Sequence, residues 1–301
     1  MFSSFAEIKQ HVLDQKIQKT IVLAGAHDHE ALSALVDAVR LGIAKGILVG
    51  DREGILKELS TLGEDAANYE IVEAAGEQET ANTACRLVAE GKAHIPMKGL
   101  MQTSSFMRGI LNKEFGFVPD KALISHAILV EDTHEKRLFL ITDCVINIAP
   151  DYNDKVKIVN NAVAVAHSLG WEKPKVACLA PVEVINPNMQ ATIDAAMLSK
   201  AQQRGQIKGC TIDGPLGLDN AISEEAARHK GIISDVAGHA DILLLPDINA
   251  GNIFCKSLTY YAKFPNAGAV AGTKVPVVMT SRTDTPQDKL HAILVAILQS
   301  V

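Results

Sequence analysis

The stretch TIVLAGAHDHEALSALVDAVRLGIAKGILVGD (residues 20–51) holds the pattern that decides the fold class. It begins with TIVLAG (20–25) and ends with GILVGD (46–51), two apolar runs with the length and composition of buried strands. Between them, residues 28–43 carry apolar side chains at helical spacing: Ala31, Leu32, Leu35, Val36 and Val39. Strand, helix and strand in this order predict parallel strands covered by helices on both faces.

The same alternation continues along most of the chain. Further strands are predicted at EIVEAA (70–75), AHIPMKG (93–99), KVACLAPV (175–182), IKGCTIDG (207–214), DILLLPD (241–247) and VPVVMT (275–280). Helices are predicted at 78–90, 153–168, 188–203, near 220–229 and at 285–299. The middle differs, because ALISHAILVED (122–132) and RLFLITDC (137–144) flank the charged THEK and predict an antiparallel hairpin. This hairpin is the candidate domain boundary.

Composition narrows the function classes. The chain has 301 residues, 48% of them apolar, which suits one large α/β domain or two smaller ones. With a net charge of −6 and no basic cluster, nucleic acid is not expected as a partner. No apolar run approaches the ~20 residues of a membrane span. The charged N-terminus MFSSFAEIKQHVLDQK does not look like a signal peptide, so we expect a cytoplasmic protein.

The cysteines and histidines give no pattern of a metal site. The five cysteines are widely spaced and contain no CxxC pair, so neither zinc nor a disulfide framework is expected. Cys178 and Cys210 are predicted core residues, whereas Cys144 could also be a nucleophile. The run His27-Asp28-His29 is interpreted as an ordinary turn rather than a metal site. No GxGxxG or Walker motif is present.

Ligands of α/β proteins usually sit at the carboxyl ends of strands, which makes the residues just after each predicted strand the first candidates. In MKGLMQTSSFMRGIL (97–111), Lys98 ends a strand, and Thr103 and Ser104 open a helix that carries Arg108. Free N–H groups at a helix start, with hydroxyls and a guanidinium, form an anion site. The alternative is an ordinary Ser/Thr cap beside a solvated arginine.

Two segments of the second half offer weaker candidates. In TIDGPLGLDNAIS (211–223), Asp213 and Gly214 come directly after a predicted strand, where a plain turn is the alternative. In LLLPDINAGNIFCKSL (243–258), Asn252 could reach a ligand, and simple capping is the alternative. The helix of this second segment is expected to start at Asn249 or Gly251.

The segment VVMTSRTDTPQDKLHAI (277–293) brings a hydroxyl, a guanidinium and a carboxylate to one strand-to-helix junction. These belong to Ser281, Arg282 and Asp288. Residues suited to start the next helix are Asp284, Thr285 and Pro286. The alternative interpretation is an ion pair between Arg282 and Asp288, with Asp288 complementing the helix dipole.

Taken together, these segments resemble the phosphate acetyltransferase and butyryltransferase family along nearly the whole chain. The segments that occur in family order are LAGAHDHEALSALVDAVRLGIAKGILVGD, MKGLMQTSSFMRGIL, FLITDCVINIAPD, AHSLG, KVACLAPVEVINPNM, GQIKGCTIDGPLGLDNAIS, AGHADILLLPDINAGNIFCKSL and VVMTSRTD. The MKGL, NPxM and KGCTIDGPLGLDNAIS segments are most similar to the butyryltransferase branch. The stretch TDTPQ between Arg282 and Asp288 differs from the acetyl branch.

The resemblance implies a two-domain α/β fold, similar to isocitrate and isopropylmalate dehydrogenases, with parallel-type sheets flanked by helices and the site in the interdomain cleft. The first domain would comprise residues 1–124 and 273–301, and the second residues 125–272. The implied reaction is acyl-CoA + phosphate = acyl phosphate + CoA in a ternary complex. It would use a short or branched acyl group, coenzyme A only as substrate, and neither metal nor redox cofactor. A homodimer or larger homo-oligomer is also implied.

The resemblance also implies roles for single residues. Ser281 would hydrogen-bond the reacting thiol or carbonyl, Arg282 would hold phosphate, and Asp288 would be the base for the thiol. Arg108 matches a family arginine near phosphate or CoA. The other expected phosphate or CoA ligands are Lys98, Thr103, Ser104, Asp213, Gly214 and Asn252.

Four other functions compete with this interpretation. They are a phosphate acetyltransferase, a noncatalytic acyl-CoA-binding protein, a dehydrogenase of similar fold, and an acyltransferase that uses acyl carrier protein. The dehydrogenase would need a nucleotide site and metal carboxylates, and the last enzyme a basic docking patch, and the sequence shows none of these. An intact Ser-Arg and Asp junction argues against a protein that only binds acyl-CoA.

Overall fold

The structure, a computed structural model, describes residues 2–301, which divide into two compact units. The terminal unit consists of Phe5–Ala122 and Ala267–Val301, and the central unit of Leu123–Asn266 with residues 2–4. The chain therefore leaves the terminal unit and returns to it. Segments from both halves of the sequence share the core of that unit.

Helices and strands alternate through most of the chain. The helices are α1 (Phe5–Asp14), α2 (His29–Arg40), α3 (Arg52–Thr61), α4 (Glu77–Ala89), α5 (Thr103–Ile110), α6 (Tyr152–Ser168), α7 (Gln190–Gln203), α8 (Leu218–Ile222), α9 (Glu224–His229), α10 (Ile248–Ser257) and α11 (Pro286–Gln299). The strands are β1 (Lys19–Ala24), β2 (Ala44–Gly50), β3 (Glu70–Glu73), β4 (Ile95–Lys98), β5 (Ser125–Asp132), β6 (Arg137–Thr142), β7 (Lys175–Leu179), β8 (Thr211–Leu216), β9 (Ile242–Leu244) and β10 (Asn266–Ala271). Within residues 2–301, no helix has both the length and the apolar character needed to span a bilayer.

The terminal unit is built on a four-stranded parallel sheet with the order β3-β2-β1-β4. The predicted strand-helix-strand unit at its centre is confirmed, with Val22 opposite Ile47 and Ile21 opposite Ile95. Helix α2 packs on β1 and β2, α4 packs on β1, β2 and β4, and α11 packs on α2. The middle of β1 is buried because helices cover the sheet, and its continuous apolar sequence reflects that burial.

The strand order creates a switch point beside β1. From β1 the chain moves outward through β2 to β3, and then returns to place β4 on the other side of β1. The loops after β1 and β4 therefore border the point where the strand order reverses, and the crevice at such a point is the usual ligand site in open α/β sheets.

The predicted strand at 275–280 is wrong. Val278 forms an isolated parallel bridge with Met97, and Val277 an isolated antiparallel bridge with Val270. Val278 accepts from the Lys98 amide at 2.9 Å and donates to the Pro96 carbonyl at 3.0 Å. Pro276 has no N–H to extend this ladder. The segment nevertheless lies along β4.

The central unit contains β5 to β9, which are neighbours in a mixed sheet in the order β5-β6-β9-β7-β8. The predicted hairpin is confirmed as antiparallel β5 and β6, and the pairs β6-β9, β9-β7 and β7-β8 are parallel. Cys178 and Cys210 are buried, as predicted for core residues. The chain thus forms an α/β fold with one parallel and one mixed sheet, each flanked by helices.

The sequence patterns did not predict three of the elements, which are α1, α3 and β10. Strand β10 has the sequence NAGAVA, whose small residues and glycine lack the apolar alternation of a typical strand. Helix α1 has a clearer sequence pattern, because the apolar residues Phe5, Ile8 and Val12 recur at helical spacing. All three are buried on one face of the helix.

A buried ion pair joins two helices of the central unit. Lys155 on α6 and Asp194 on α7 are almost fully buried, and their Nζ and Oδ2 atoms lie 2.6 Å apart. Gln190 donates to the other carboxylate oxygen at 2.8 Å. Both oxygens of Asp194 are therefore satisfied, which a buried carboxylate requires.

We expect Lys155→Met to lower the free energy of unfolding of the central unit by about 3–5 kcal/mol, because Asp194 would stay buried without its cation. Trp171, the single tryptophan, is 1% exposed in the same unit, so its fluorescence during urea unfolding measures this effect. The double variant Lys155→Met with Asp194→Leu removes both charges and should recover most of the loss. A stable single variant would contradict the importance of this pair.

Candidate active site

Two glycines bring the loops after β1 and β4 together at the switch point. Gly99 donates to the Ala24 carbonyl at 2.8 Å, and Leu100 donates to the Gly25 carbonyl at 2.9 Å. A Cβ atom on Gly99 would collide with the Gly25 carbonyl oxygen. Gly25 itself has a φ of +74°, which side-chain-bearing residues rarely adopt. The close approach of these loops sets where Lys98 lies.

Lys98, the last residue of β4, is a buried cation at this crevice. It is 4% exposed, and within residues 2–301 its ammonium makes one hydrogen bond, of 3.4 Å, to the Gly99 carbonyl. Burial lowers the pKa of Lys98 below the usual range for lysine. The nearby charges of Asp28 and Asp284 oppose this shift, and those of Arg282 and Lys289 increase it.

The turn after Thr280 is held by charged side chains at both backbone groups of Ser281. The Ser281 amide donates to Asp284 Oδ2 at 2.7 Å, and its carbonyl oxygen accepts from Lys289 Nζ at 2.7 Å. The Ser281 hydroxyl lies 3.1 Å from the hydroxyl of Thr283. The Arg282 side chain is exposed and makes no hydrogen bond with any of residues 2–301.

Helix α11 starts as the sequence predicts. Thr285 is the N-cap, accepts from the Asp288 amide at 3.1 Å, and is followed by Pro286. The Thr285 hydroxyl also donates to Asp288 Oδ2 at 2.6 Å. Asp288 is partly exposed. This hydrogen bond ties its carboxylate to the first turn of α11. Among residues 2–301, Arg282 and Asp288 do not form the alternative ion pair.

Lys289 is the residue of this cluster that sequence reasoning missed. It is 2% exposed and stands first in a run of ten buried residues on α11. The sequence did contain a sign of this burial, because Lys289 shares a helix face with the apolar residues Ile293 and Ala296. A lysine at such a position needs partners, and only the folded chain shows them.

Helix α5 carries the other predicted anion ligands. Its N-cap is Gln102, and the Glu77 carboxylate accepts from the Gln102 amide at 3.2 Å and the Ser105 hydroxyl at 2.9 Å. Thr103, Ser104 and Arg108 are exposed on this helix. The Arg108 guanidinium donates to the Ser104 carbonyl at 3.3 Å and to Ser105 Oγ at 3.4 Å.

Three predicted ligands belong to the central unit. Asp213 and Gly214 lie inside β8, not after it, and Asp213 Oδ1 accepts from the Gly214 amide at 2.8 Å. Asn252 on α10 donates to the Cys144 carbonyl at 3.2 Å. Helix α10 does not start at Asn249 or Gly251. Asp247 is its N-cap and accepts from two amides, because its short carboxylate reaches the free N–H groups.

The remaining candidates are accounted for locally. A hydrogen bond with Cys255, together with burial, holds the pKa of the Cys144 thiol well above its usual range, which disfavours a nucleophilic role. Asp28 is the N-cap of α2, and His29 lies 2.9 Å from Glu58. Within residues 2–301, no three His, Cys, Asp or Glu side chains are grouped to hold a metal ion.

We call Lys98, Arg282 and Lys289 the cation cluster. The neighbouring cavity differs from this cluster in charge. A cavity of about 500 Å³ borders Gly25 and Leu100, but it is lined by the carboxylates of Asp51, Glu73 and Glu77. Such a lining does not suit an anion.

The carboxylates near the cation cluster are already engaged. Asp28 and Asp284 are the acidic groups that act on Lys98, and each accepts a backbone amide, from Ala31 and Ser281 respectively. Both carboxylates that act on Lys98 thus also serve the backbone. The Lys98 ammonium and the Arg282 guanidinium keep N–H donors that suit an anionic ligand.

Comparison with known proteins identifies the chemistry. The chain matches the family model described as phosphate acetyl/butaryl transferase over residues 64–297. It is 47% identical over 298 residues to phosphate butyryltransferase of Clostridium acetobutylicum, covering 99% of this chain and 98% of that protein. It is 40% identical to phosphate acetyltransferase of Thermotoga maritima, covering 91% of this chain and 93% of the other.

The structural comparison agrees with the sequence comparison. A crystal structure of a branched-chain phosphotransacylase from Enterococcus faecalis matches with a TM-score of 0.84 and 34% identity, covering 94% of this chain and 99% of the other. The resemblance seen in the sequence segments is thereby confirmed. The chain belongs to the phosphate acetyl/butyryltransferase family and is an acyltransferase.

Proposed function

We propose that this enzyme transfers a short or branched acyl group from coenzyme A to inorganic phosphate. The observation that carries the proposal is the buried Lys98 ammonium, on which the charge of Arg282 acts, in a chain 47% identical to a phosphate butyryltransferase. Oxygen of phosphate attacks the thioester carbonyl carbon, the C–S bond breaks, and coenzyme A leaves as thiolate. Both substrates are bound together.

The cation cluster supplies the phosphate site. The Lys98 ammonium has three N–H donors and uses one, and the Arg282 guanidinium uses none within residues 2–301. Both can therefore donate to phosphate oxygens. Such charge-assisted bonds are about twice as strong as neutral ones, and a buried cation gains more from an anion than a solvated one.

Catalysis then depends on alignment and on charge stabilisation. Holding phosphate against the thioester converts a bimolecular step into an intramolecular one. As phosphate adds, negative charge builds on the thioester oxygen, and preorganised donors stabilise that charge. We assign this donation to the Ser281 hydroxyl and the Arg282 guanidinium. Ser281 suits this role because both of its backbone groups are anchored, at 2.7 Å each.

Asp288 is the proposed partner of the thiol. A carboxylate is a weaker base than a thiolate, so complete proton transfer from a thiol to a carboxylate is unfavourable. The Thr285 hydroxyl already donates to Asp288 Oδ2 at 2.6 Å. We therefore assign Asp288 to the reverse reaction, in which the CoA thiol attacks acyl phosphate: Asp288 orients the thiol and accepts its proton as Arg282 stabilises the thiolate. In the forward reaction the leaving thiolate takes up a proton at the same place.

The acyl group is inferred from the relatives rather than from the cation cluster. Identity is 47% to a phosphate butyryltransferase and 40% to a phosphate acetyltransferase, and the matching crystal structure is of a branched-chain phosphotransacylase. The higher identity to the butyryltransferase favours a butyryl-type enzyme over an acetyl-type one. A noncatalytic acyl-CoA-binding role has no support among these relatives.

The test is phosphate-dependent release of free thiol from acetyl-, butyryl-, isobutyryl- and octanoyl-CoA. We expect release to require phosphate and to be fastest with four or five carbons. A maximum with acetyl-CoA would reassign the chain to the acetyl type. Absence of release with every substrate, while coenzyme A still binds, would overturn the proposed activity.

Arg282→Lys keeps the charge but loses the planar fork that binds two phosphate oxygens. We expect kcat/KM to fall by about 30-fold, or about 2 kcal/mol, as for a lost charge-assisted bond. Arg86→Lys on α4 is the matched control, because Arg86 is exposed and faces Glu79 at 3.9 Å. Equal kinetics for both variants would remove Arg282 from the phosphate site.

The lowered pKa of Lys98 predicts the alkaline limit of activity. The ammonium is present below its folded-state pKa and lost as pH rises through it, before lysine's ordinary value of about 10.4. We expect kcat/KM for phosphate to fall across that range. Lys98→Arg, which stays charged, should move the decline to higher pH. An unmoved decline would show that Lys98 does not set it.

A further inference from the structure

Lys289 is a buried ammonium whose hydrogen-bond partners in residues 2–301 are neutral oxygens. Its Nζ donates to the Ser281 carbonyl at 2.7 Å and lies 3.4 Å from Thr280 Oγ1, and both partners are neutral. No carboxylate within residues 2–301 lies at ion-pair distance from it. Lys155, the buried lysine of the central unit, is by contrast paired with Asp194. Lys289 therefore differs from a structural ion pair.

The burial of Lys289 is unfavourable for stability. Burying a charged ammonium without a carboxylate costs several kcal/mol, whereas an apolar side chain of similar length would pack there without that loss. The residues after it on α11, from Leu290 to Leu298, are all buried. The contact with Ser281 is thus the feature that distinguishes a lysine from methionine at this position.

Lys289 holds the peptide between Ser281 and Arg282. The Asp284 carboxylate fixes the amide on one side of Ser281, and Lys289 fixes the carbonyl on the other. That carbonyl belongs to the same peptide plane as the Arg282 amide. Since the Arg282 side chain has no hydrogen bond of its own within residues 2–301, its direction depends on this plane.

We propose that Lys289 is a positioning residue that fixes the Ser281–Arg282 peptide, and through it the hydroxyl and guanidinium that act on the substrates. Lys289 itself does not touch substrate. The proposal rests on the proposed acyl transfer to phosphate for its kinetic consequence. Its structural consequence, an ordered turn at 281–285, holds independently of the reaction.

The first test is kinetic. We expect Lys289→Met to lower kcat by about 10-fold to 100-fold, as for other losses of a positioning contact, with little change in KM for acyl-CoA. Lys289→Gln keeps a neutral N–H donor without the charge and should be less impaired than Lys289→Met. If Lys289→Met does not fold, the kcat and exchange rates of Lys289→Gln decide.

A matched control lies at the other end of the same helix. Lys19 Nζ donates to the Ser300 carbonyl at 2.9 Å, the same kind of bond at the C-terminus of α11. Lys19→Met removes that bond far from Ser281. We expect its kcat and KM to stay within about twofold of wild type, because a hydrogen bond at this end of the helix supports stability and not the Ser281 turn.

The second test does not depend on activity. Hydrogen exchange of peptides covering residues 281–285 should be faster in Lys289→Met than in wild type, and unchanged in Lys19→Met. Removing the Lys289 charge should also move the alkaline decline to higher pH, because Arg282 and Lys289 lower the pKa of Lys98 while Asp28 and Asp284 raise it. This movement reports the charge of Lys289 acting on Lys98, and it is separate from the ordering of the turn at 281–285.

The outcomes separate the two proposals. Wild-type protein without phosphate-dependent thiol release would overturn the proposed function, and exchange at 281–285 would still decide whether Lys289 orders the turn. Wild-type kcat together with wild-type exchange in Lys289→Met would overturn the role of Lys289. Equal losses of kcat in Lys289→Met and Lys19→Met would also overturn this role, because such losses would reflect the stability of α11.

Discussion

A group of three cations at the carboxyl ends of β1 and β4 is the constraint on which the candidate site depends. Lys98 and Lys289 are buried, Arg282 lies close by, and the carboxylates of Asp28 and Asp284 already accept backbone amides. These like charges repel one another, and burial raises the free energy of the charged form of each buried lysine. Phosphate, the anion of the proposed reaction, would relieve both effects.

Close backbone contacts, rather than additional carboxylates, set the positions of these cations. Gly25 and Gly99 let two loops approach closely enough for β4 to present Lys98 in the crevice. The return of the chain to the terminal unit brings α11 onto α2, and with it the turn that carries Ser281. The site is thus assembled from three segments that are distant in sequence. Their relative positions depend on packing of the shared core.

Much of this architecture could be predicted from local pattern. The βαβ unit at residues 20–51 has buried strands, and a buried strand must be apolar whatever its neighbours are. The hairpin of β5 and β6 was equally clear, since two apolar runs flank a short charged turn. The cap of α11 could be assigned from Thr285 and Pro286, because capping involves residues adjacent in sequence.

The sequence by itself therefore determined the family, the α/β class and the Ser281-Arg282 junction, since each depends on residue types at short spacing. Tertiary structure alone decided the rest. Whether 275–280 becomes a strand depends on a partner edge and on Pro276, and Asp213 lies within β8 because β7 pairs beyond it. The burial of Lys289 was decided in the same way. A lysine is expected at the surface until packing from distant segments removes it from water and leaves the Ser281 carbonyl as its partner.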